Sequence, residues 1–148
     1  MPGSRKRPEP QVKYIWEKAG VQVWFHYTPM ALALQIEKER RYVVSSRPHQ
    51  RHGHGLFLTT IRPQELSVDE LLTRLFALQR PRENVEGVIV VLRDDDLLPV
   101  TSAGGRAYVH SANSGAEIDL SLLYLGYGHR EDNEEGWVFS RGLYAPRA

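Results

Sequence analysis

The sequence predicts an α+β fold in a single domain. Three observations carry that expectation. Two helical patterns occur, both before residue 81. Strand patterns lie among them. From about residue 87 onward, strand patterns follow one another with only turn signals between. A doubly wound parallel sheet would need strand and helix to alternate throughout, and they do not. The 148 residues suit one hydrophobic core.

Taken in order, residues 1–12 read as a flexible, basic, Pro-rich tail, and 13–148 as the domain. Pro2, Pro8 and Pro10 oppose regular structure there, and Arg5-Lys6-Arg7 is a solvated charge run. Tyr14–Lys18 fits a short helix or a strand, and the residues do not choose between them. Val21–Tyr27 is dense in β-branched and aromatic side chains and reads as a strand. Thr28 then fits a helix N-cap and Pro29 the first helical position, with the helix running from Met30 to Arg40. Its apolar residues fit one buried face. Tyr42–Ser45 follows as a short strand, Ser46–Gly55 as a loop and Leu56–Ile61 as a strand that Arg62-Pro63 breaks.

Ser67-Val68-Asp69-Glu70 has the spacing of a capping box and opens a second helix. Leu71, Leu72, Leu75, Phe76 and Leu78 form its apolar face, and Pro81 marks its end. Gly87–Leu92 is an uninterrupted apolar run, the pattern of a central strand buried on both faces, and Asp94-Asp95-Asp96 closes it. Arg106–His110, Ile118–Tyr127 and Trp137–Leu143 are further strands. Gly104-Gly105, Asn113–Gly115 and Asn133–Gly136 are the turns between them. No internal repeat occurs.

Composition narrows the function classes. The hydrophobic fraction of 41% and charged fraction of 25% are ordinary for a globular protein. With no cysteine, the chain has no disulfide, no thiolate metal site and no cysteine nucleophile. A reducing compartment fits, and a cytoplasmic location is expected. No apolar run approaches the ~20 residues that span a bilayer, and no apolar segment follows the N-terminal charges, so neither a membrane partner nor a secretory leader is expected. A net charge of +1 does not point to nucleic acid. The acidic run Glu131–Glu135 reads as a solvated loop.

Chemistry concentrates in two segments. His26 ends an apolar strand just before Tyr27-Thr28-Pro29, where a side chain can face a ligand. A core-edge histidine satisfied by backbone is the alternative. Gly53-His54-Gly55 precedes Leu56-Phe57-Leu58-Thr59, and two glycines around one residue permit positive φ or close backbone approach. His49, His52 and His54 lie within six residues, and neutral imidazoles ligate zinc and related metals. An extended His52-Gly53-His54 puts its two rings on opposite sides, however, and the segment holds no carboxylate. A polar loop is the better reading, and no metal is expected. Phosphate-loop, Gly-x-Ser-x-Gly and His-Glu-x-x-His motifs are missing.

Taken in order, Phe25-His26-Tyr27-Thr28-Pro29, a helix, a short strand to Ser45-Ser46, and Gly53-His54-Gly55-Leu56-Phe57-Leu58-Thr59-Thr60 resemble a known series. The resemblance is to the bacterial toxin-type ADP-ribosyltransferases with a His–Tyr–Asp signature. It spans about residues 22–66, under a third of the chain. It implies a split β-sheet around an NAD cleft, with NAD as substrate. It also implies that His26 hydrogen-bonds a ribose, that the backbone of Tyr27 (next to Thr28) holds the nicotinamide amide, and that Ser45 supports the cleft. Gly55 would belong to the turn of the second motif. The family's stacking tyrosine is replaced by Phe57, which keeps the ring and loses the hydroxyl.

Breaking the nicotinamide–ribose bond creates a cation-like sugar carbon, so a carboxylate should lie nearby. Glu117, Asp119, Glu134 and Glu135 are late-chain candidates. Glu117 is preferred and Asp119 comes next, because Glu117-Ile118-Asp119-Leu120 opens an apolar strand. Arg47 and Arg51, between the two motifs, suit the NAD pyrophosphate, and equally a solvated role. Two functions follow as expectations. One is an NAD-dependent mono-ADP-ribosyltransferase or NAD glycohydrolase whose acceptor the sequence does not name. The other is a catalytically degenerate binding module for NAD, ADP-ribose or a protein partner.

Overall fold

In a computed structural model, which describes residues 20–47, 53–76, 81–130 and 137–140, the run Gly87–Leu92 lies between two neighbours deep in the main sheet. The elements in chain order are β1 (Val23–Thr28), α1 (Met30–Glu39), β2 (Arg41–Val43), β3 (Gly55–Thr59) and α2 (Val68–Phe76). A 3-10 turn at Arg82–Val85 follows, then β4 (Gly87–Leu92), β5 (Thr101–Ser102), β6 (Ala107–Ser111), β7 (Glu117–Asp119), β8 (Tyr124–Arg130) and β9 (Trp137–Phe139). Seven strands form one sheet in the order β5-β6-β3-β1-β4-β8-β9, and β2 and β7 form a separate ladder. Every pairing is antiparallel. The protein is thus a mixed α+β domain with two α-helices among the described residues. No helix among those residues is long and apolar enough to cross a membrane.

Alternation along β1 and β4 builds two apolar layers, one on each face of the sheet. Phe25, Tyr27, Val88 and Val90 pack under α2 through Leu71 and Leu72. Trp24, Ile89 and Val91 pack under α1 through Ala33 and Ile36, joined by Leu56 and Leu58 of β3. Both faces of β4 are sealed, which is why its sequence is continuously apolar.

The capping box forms as its spacing predicts. The Ser67 N–H donates to Glu70 Oε1 at 3.0 Å, and the Glu70 N–H donates to Ser67 Oγ at 3.2 Å. Thr28, by contrast, is not an N-cap. It remains in the β1 ladder opposite Gly87, and Pro29 occupies the cap position with ψ 147°. The Pro29 carbonyl accepts the N–H groups of Leu32 and Ala33 at 3.0 and 3.1 Å, so α1 begins at Met30 with no side-chain cap.

The single strand expected over Ile118–Tyr127 is two. The Asp119 carboxylate accepts the Ser121 N–H and hydroxyl, and the Leu120 carbonyl accepts the N–H groups of Leu123 and Tyr124. That turn separates β7, which pairs with β2, from β8, which pairs with β4. The tail, Tyr14–Lys18, Leu78 and the end of the last expected strand, residues 141–143, lie outside the described residues.

One feature of the sheet prepares the site. β1 pairs with β4 at six positions from Val23–Leu92 to Thr28–Gly87, but with β3 at one, Phe25–Thr59. β3 meanwhile pairs with β6 at five positions. The halves β5-β6-β3 and β1-β4-β8-β9 therefore touch near Phe25 and diverge beyond it.

Candidate functional site

The divergence opens at His26. Continuing the ladder would pair Tyr27 with Phe57, and no such pair forms. Instead His26 Nδ1 lies 2.8 Å from the Phe57 carbonyl oxygen. A carbonyl only accepts, so Nδ1 carries the proton of the neutral ring and Nε2 is left with its lone pair. Burial lowers the His26 pKa from its ordinary 6.5, and the bond to Phe57 offsets part of that effect. The residue is 9% exposed, and its ring packs edge-on against Tyr42, centroids 5.0 Å apart and planes at 72°.

Register also orients Tyr27. The Arg93 N–H donates to the Gln22 carbonyl at 3.0 Å, so by alternation residues 24, 26 and 28 turn their backbone groups toward β4. Phe25 and Tyr27 turn theirs toward β3. Those of Phe25 meet Thr59, whereas those of Tyr27 face the side where β3 has moved away. The Tyr27 side chain is buried on the other cluster and donates its hydroxyl to the Ile61 carbonyl at 2.8 Å. Burial raises that hydroxyl's pKa well above 10.

A cleft of about 1260 Å³ follows this gap. That volume exceeds the roughly 300–1,000 Å³ of ordinary small-molecule sites and leaves room for an extended ligand. His26, Tyr27, Thr28, Gly55 and Phe57 line its base. One wall is α1 and β2, with Gln35, Glu39, Arg41 and Tyr42, continuing to Ser45 and Arg47. The other is the end of α2, with Arg74 and Phe76, and the β5–β6 turn through Arg106. The fold thus gathers seven of the residues singled out in the sequence: His26, Tyr27, Thr28, Ser45, Arg47, Gly55 and Phe57. Arg51, Glu134 and Glu135 lie outside the described residues.

Glu117 and Asp119 are described and do not line the cleft. Both sit on β7, opposite Val43 and Arg41 of β2. Glu117 Oε1 is 2.8 Å from Arg41 Nη1, and Asp119 is engaged with Ser121, which lowers its pKa. Among the described residues, the carboxylate that does line the cleft is that of Glu39, which sequence reading missed. A signal existed: Leu32, Gln35, Ile36 and Glu39 recur at helical spacing, so a polar pair shares the stripe that begins apolar.

Four arginines line the cleft. Arg41 is held by Glu39 and Glu117. Arg106 forms a two-pronged pair with Glu65, at 2.6 and 3.0 Å, and also bonds Thr60. Arg47 and Arg74 make no ion pair within 4 Å among the described residues, although Arg74 interacts electrostatically with Glu70 one turn before it, and four arginines against Glu39 leave the cleft lining with positive charge suited to an anion.

Each glycine of the second motif has a separate cause. Gly53 sits at φ +69°, where a side chain is disfavoured. A Cβ on Gly55 would collide with the His110 carbonyl oxygen and come within 2.9 Å of Val109 Cγ2, because β6 runs close alongside. Of the histidine cluster, His54 Nε2 lies 3.2 Å from the Ser46 carbonyl, and His49 and His52 lie outside the described residues. Among the described residues, no three His, Asp or Glu side chains are grouped to hold a metal. No family model, no curated protein and no solved structure matches the chain.

Proposed function

We propose that the cleft binds NAD and that the domain, an ADP-ribosyltransferase-like split sheet, breaks the nicotinamide–ribose bond. ADP-ribose then passes to an acceptor or to water. The observation that carries this reading is the parting of β1 from β3 at the His26–Phe57 hydrogen bond. It brings both segments that resemble the His–Tyr–Asp enzymes to the base of one cleft.

Each residue then has a task that its geometry suits. His26 Nε2 accepts a hydrogen bond from a ribose hydroxyl. A neutral imidazole suits this role, since an imidazolium would repel the cation forming on the sugar. The backbone N–H and C=O of Tyr27 take the nicotinamide carboxamide, which offers the complementary donor and acceptor. Phe57 supplies a stacking face. Arg47 and Arg74 both line the cleft and would meet the two pyrophosphate charges. Ser45 holds the turn beneath Arg47 by accepting the Arg47 N–H at 3.0 Å. A cytoplasmic setting fits the cysteine-free composition.

A second reading, a binding module without turnover, draws on two observations: neither Glu117 nor Asp119 lines the cleft, and Phe57 lacks the hydroxyl of the tyrosine it replaces. Incubating the protein with NAD labelled in the adenosine half, with and without a lysate, separates the two. Label moving to a macromolecule, a small molecule or free ADP-ribose supports transfer and identifies the acceptor class. Binding without consumption supports the module. Neither binding nor consumption at millimolar NAD overturns the enzyme reading and NAD as the ligand of the module.

A further inference from the structure

We infer that Glu39 supplies the carboxylate that faces the sugar cation, so that the acidic member of the site sits at the end of α1. This rests on the NAD reading above. The late-chain acids described, Glu117 and Asp119, lie away from the cleft, whereas Glu39 lines it. Its place on the cleft stripe of α1 follows from the i, i+3, i+4, i+7 spacing of Leu32, Gln35, Ile36 and Glu39.

The carboxylate is held in position. Arg41 Nε is 3.2 Å from Glu39 Oε1, and Gln35 Nε2 donates to Oε2 at 3.4 Å. Tyr42, which follows Arg41 in β2, packs on the His26 ring, and Glu39, Tyr42 and His26 all line the cleft. An acid in the last turn of a helix opposes the helix dipole. Departures of this kind from local preference are expected where a site demands a side chain. Arg41 offsets the conflict and is anchored from behind by Glu117 at 2.8 Å. Glu117 therefore reaches the site only through Arg41, as a positioning residue.

The step balances with NAD and one co-reactant, an acceptor hydroxyl or water. The bond between the ribose C1′ and the nicotinamide nitrogen breaks, and its electron pair goes to the nitrogen, which loses its positive charge. That charge passes to C1′, opposite the Glu39 carboxylate. An acceptor or water oxygen closes on C1′ and releases its proton to solvent. Glu39 forms no bond.

The test compares wild type with Glu39→Gln, which keeps the shape and removes the charge. Turnover of NAD is measured, together with the affinities for NAD and NADH, whose nicotinamide rings differ by one positive charge. Expected for Glu39→Gln are a loss of about 10²-fold in turnover, a fall of about two- to fivefold in preference for NAD over NADH, and an unchanged thermal midpoint. Wild-type turnover together with wild-type NAD/NADH preference in the variant overturns the role of Glu39 and leaves the NAD reading standing. If the wild type turns nothing over but binds NAD, the affinity ratio alone decides. Failure of the wild type to bind either nucleotide overturns the NAD reading, and this inference with it.

Discussion

Replacing His26 with Ala isolates the contact on which the cleft depends. The substitution removes the bond from Nδ1 to the Phe57 carbonyl and the edge-on packing against Tyr42. A lost hydrogen bond of this kind costs about 1 kcal/mol, toward the low end because the carbonyl borders an open cleft that water can enter. The ring contact adds about 0.5–1 kcal/mol. At pH 8 the sum is about 1.5–2 kcal/mol, or a fall of about 3–8 °C in thermal midpoint for a chain of this length. The pH dependence then tests the cause. Folded His26 has a pKa below 6.5, while the unfolded chain keeps the ordinary value. Above pH 6.5 the ring is neutral in both states. As pH falls through 6.5, the unfolded chain takes up a proton that the folded ring resists, so wild type loses stability down to the lowered folded pKa. The Ala variant has no such group, and all other groups cancel in the difference. Unfolding curves of both proteins at pH 8, 6.5 and 5 should therefore show the gap narrowing with acid. A gap that stays constant or widens would refute a buried, neutral His26.

Two further outcomes test the rest of the cleft base. Gly55→Ala forces a Cβ against the β6 backbone and should cost about 1–3 kcal/mol, whereas Gly53→Ala meets no neighbour and bears only the positive-φ strain of about 1–2 kcal/mol. Equilibrium unfolding ranks them, and an undamaged Gly55→Ala protein contradicts the β3–β6 packing. In calorimetric titration with NAD, Phe57→Ala should lower affinity by about two- to tenfold, while Phe57→Tyr, which keeps the ring, should not. Equal losses in both variants would remove stacking from the role of Phe57.

Where local chemistry is strong, the fold was legible in the chain. Ser67 and Glu70 satisfy each other's backbone within one turn, so α2 begins where their spacing says. The run Gly87–Leu92 needs apolar neighbours on both sides, and only an interior strand provides them. Thr28 was less legible, because whether a Thr-Pro step caps a helix or extends a strand depends on a partner strand 59 residues away, reached at the Thr28–Gly87 pair. The break inside Ile118–Tyr127 comes from the Asp119–Ser121 turn, which the surrounding apolar pattern masks.

The site divides along the same line. The sequence by itself determined that His26 lies in an apolar strand, that Gly53 and Gly55 answer backbone demands, and that Phe57 presents a ring without a hydroxyl. These follow from residue type and neighbours a few positions away. Only the tertiary structure decided that β1 leaves β3 after one pair, that the His26 imidazole takes the carbonyl the ladder relinquishes, and that the carboxylate beside the cleft comes from α1 while those of β7 face elsewhere. Those outcomes depend on which strand pairs with which and at what register. Register is set by long-range packing of both sheet faces, and no local stretch of the chain contains it.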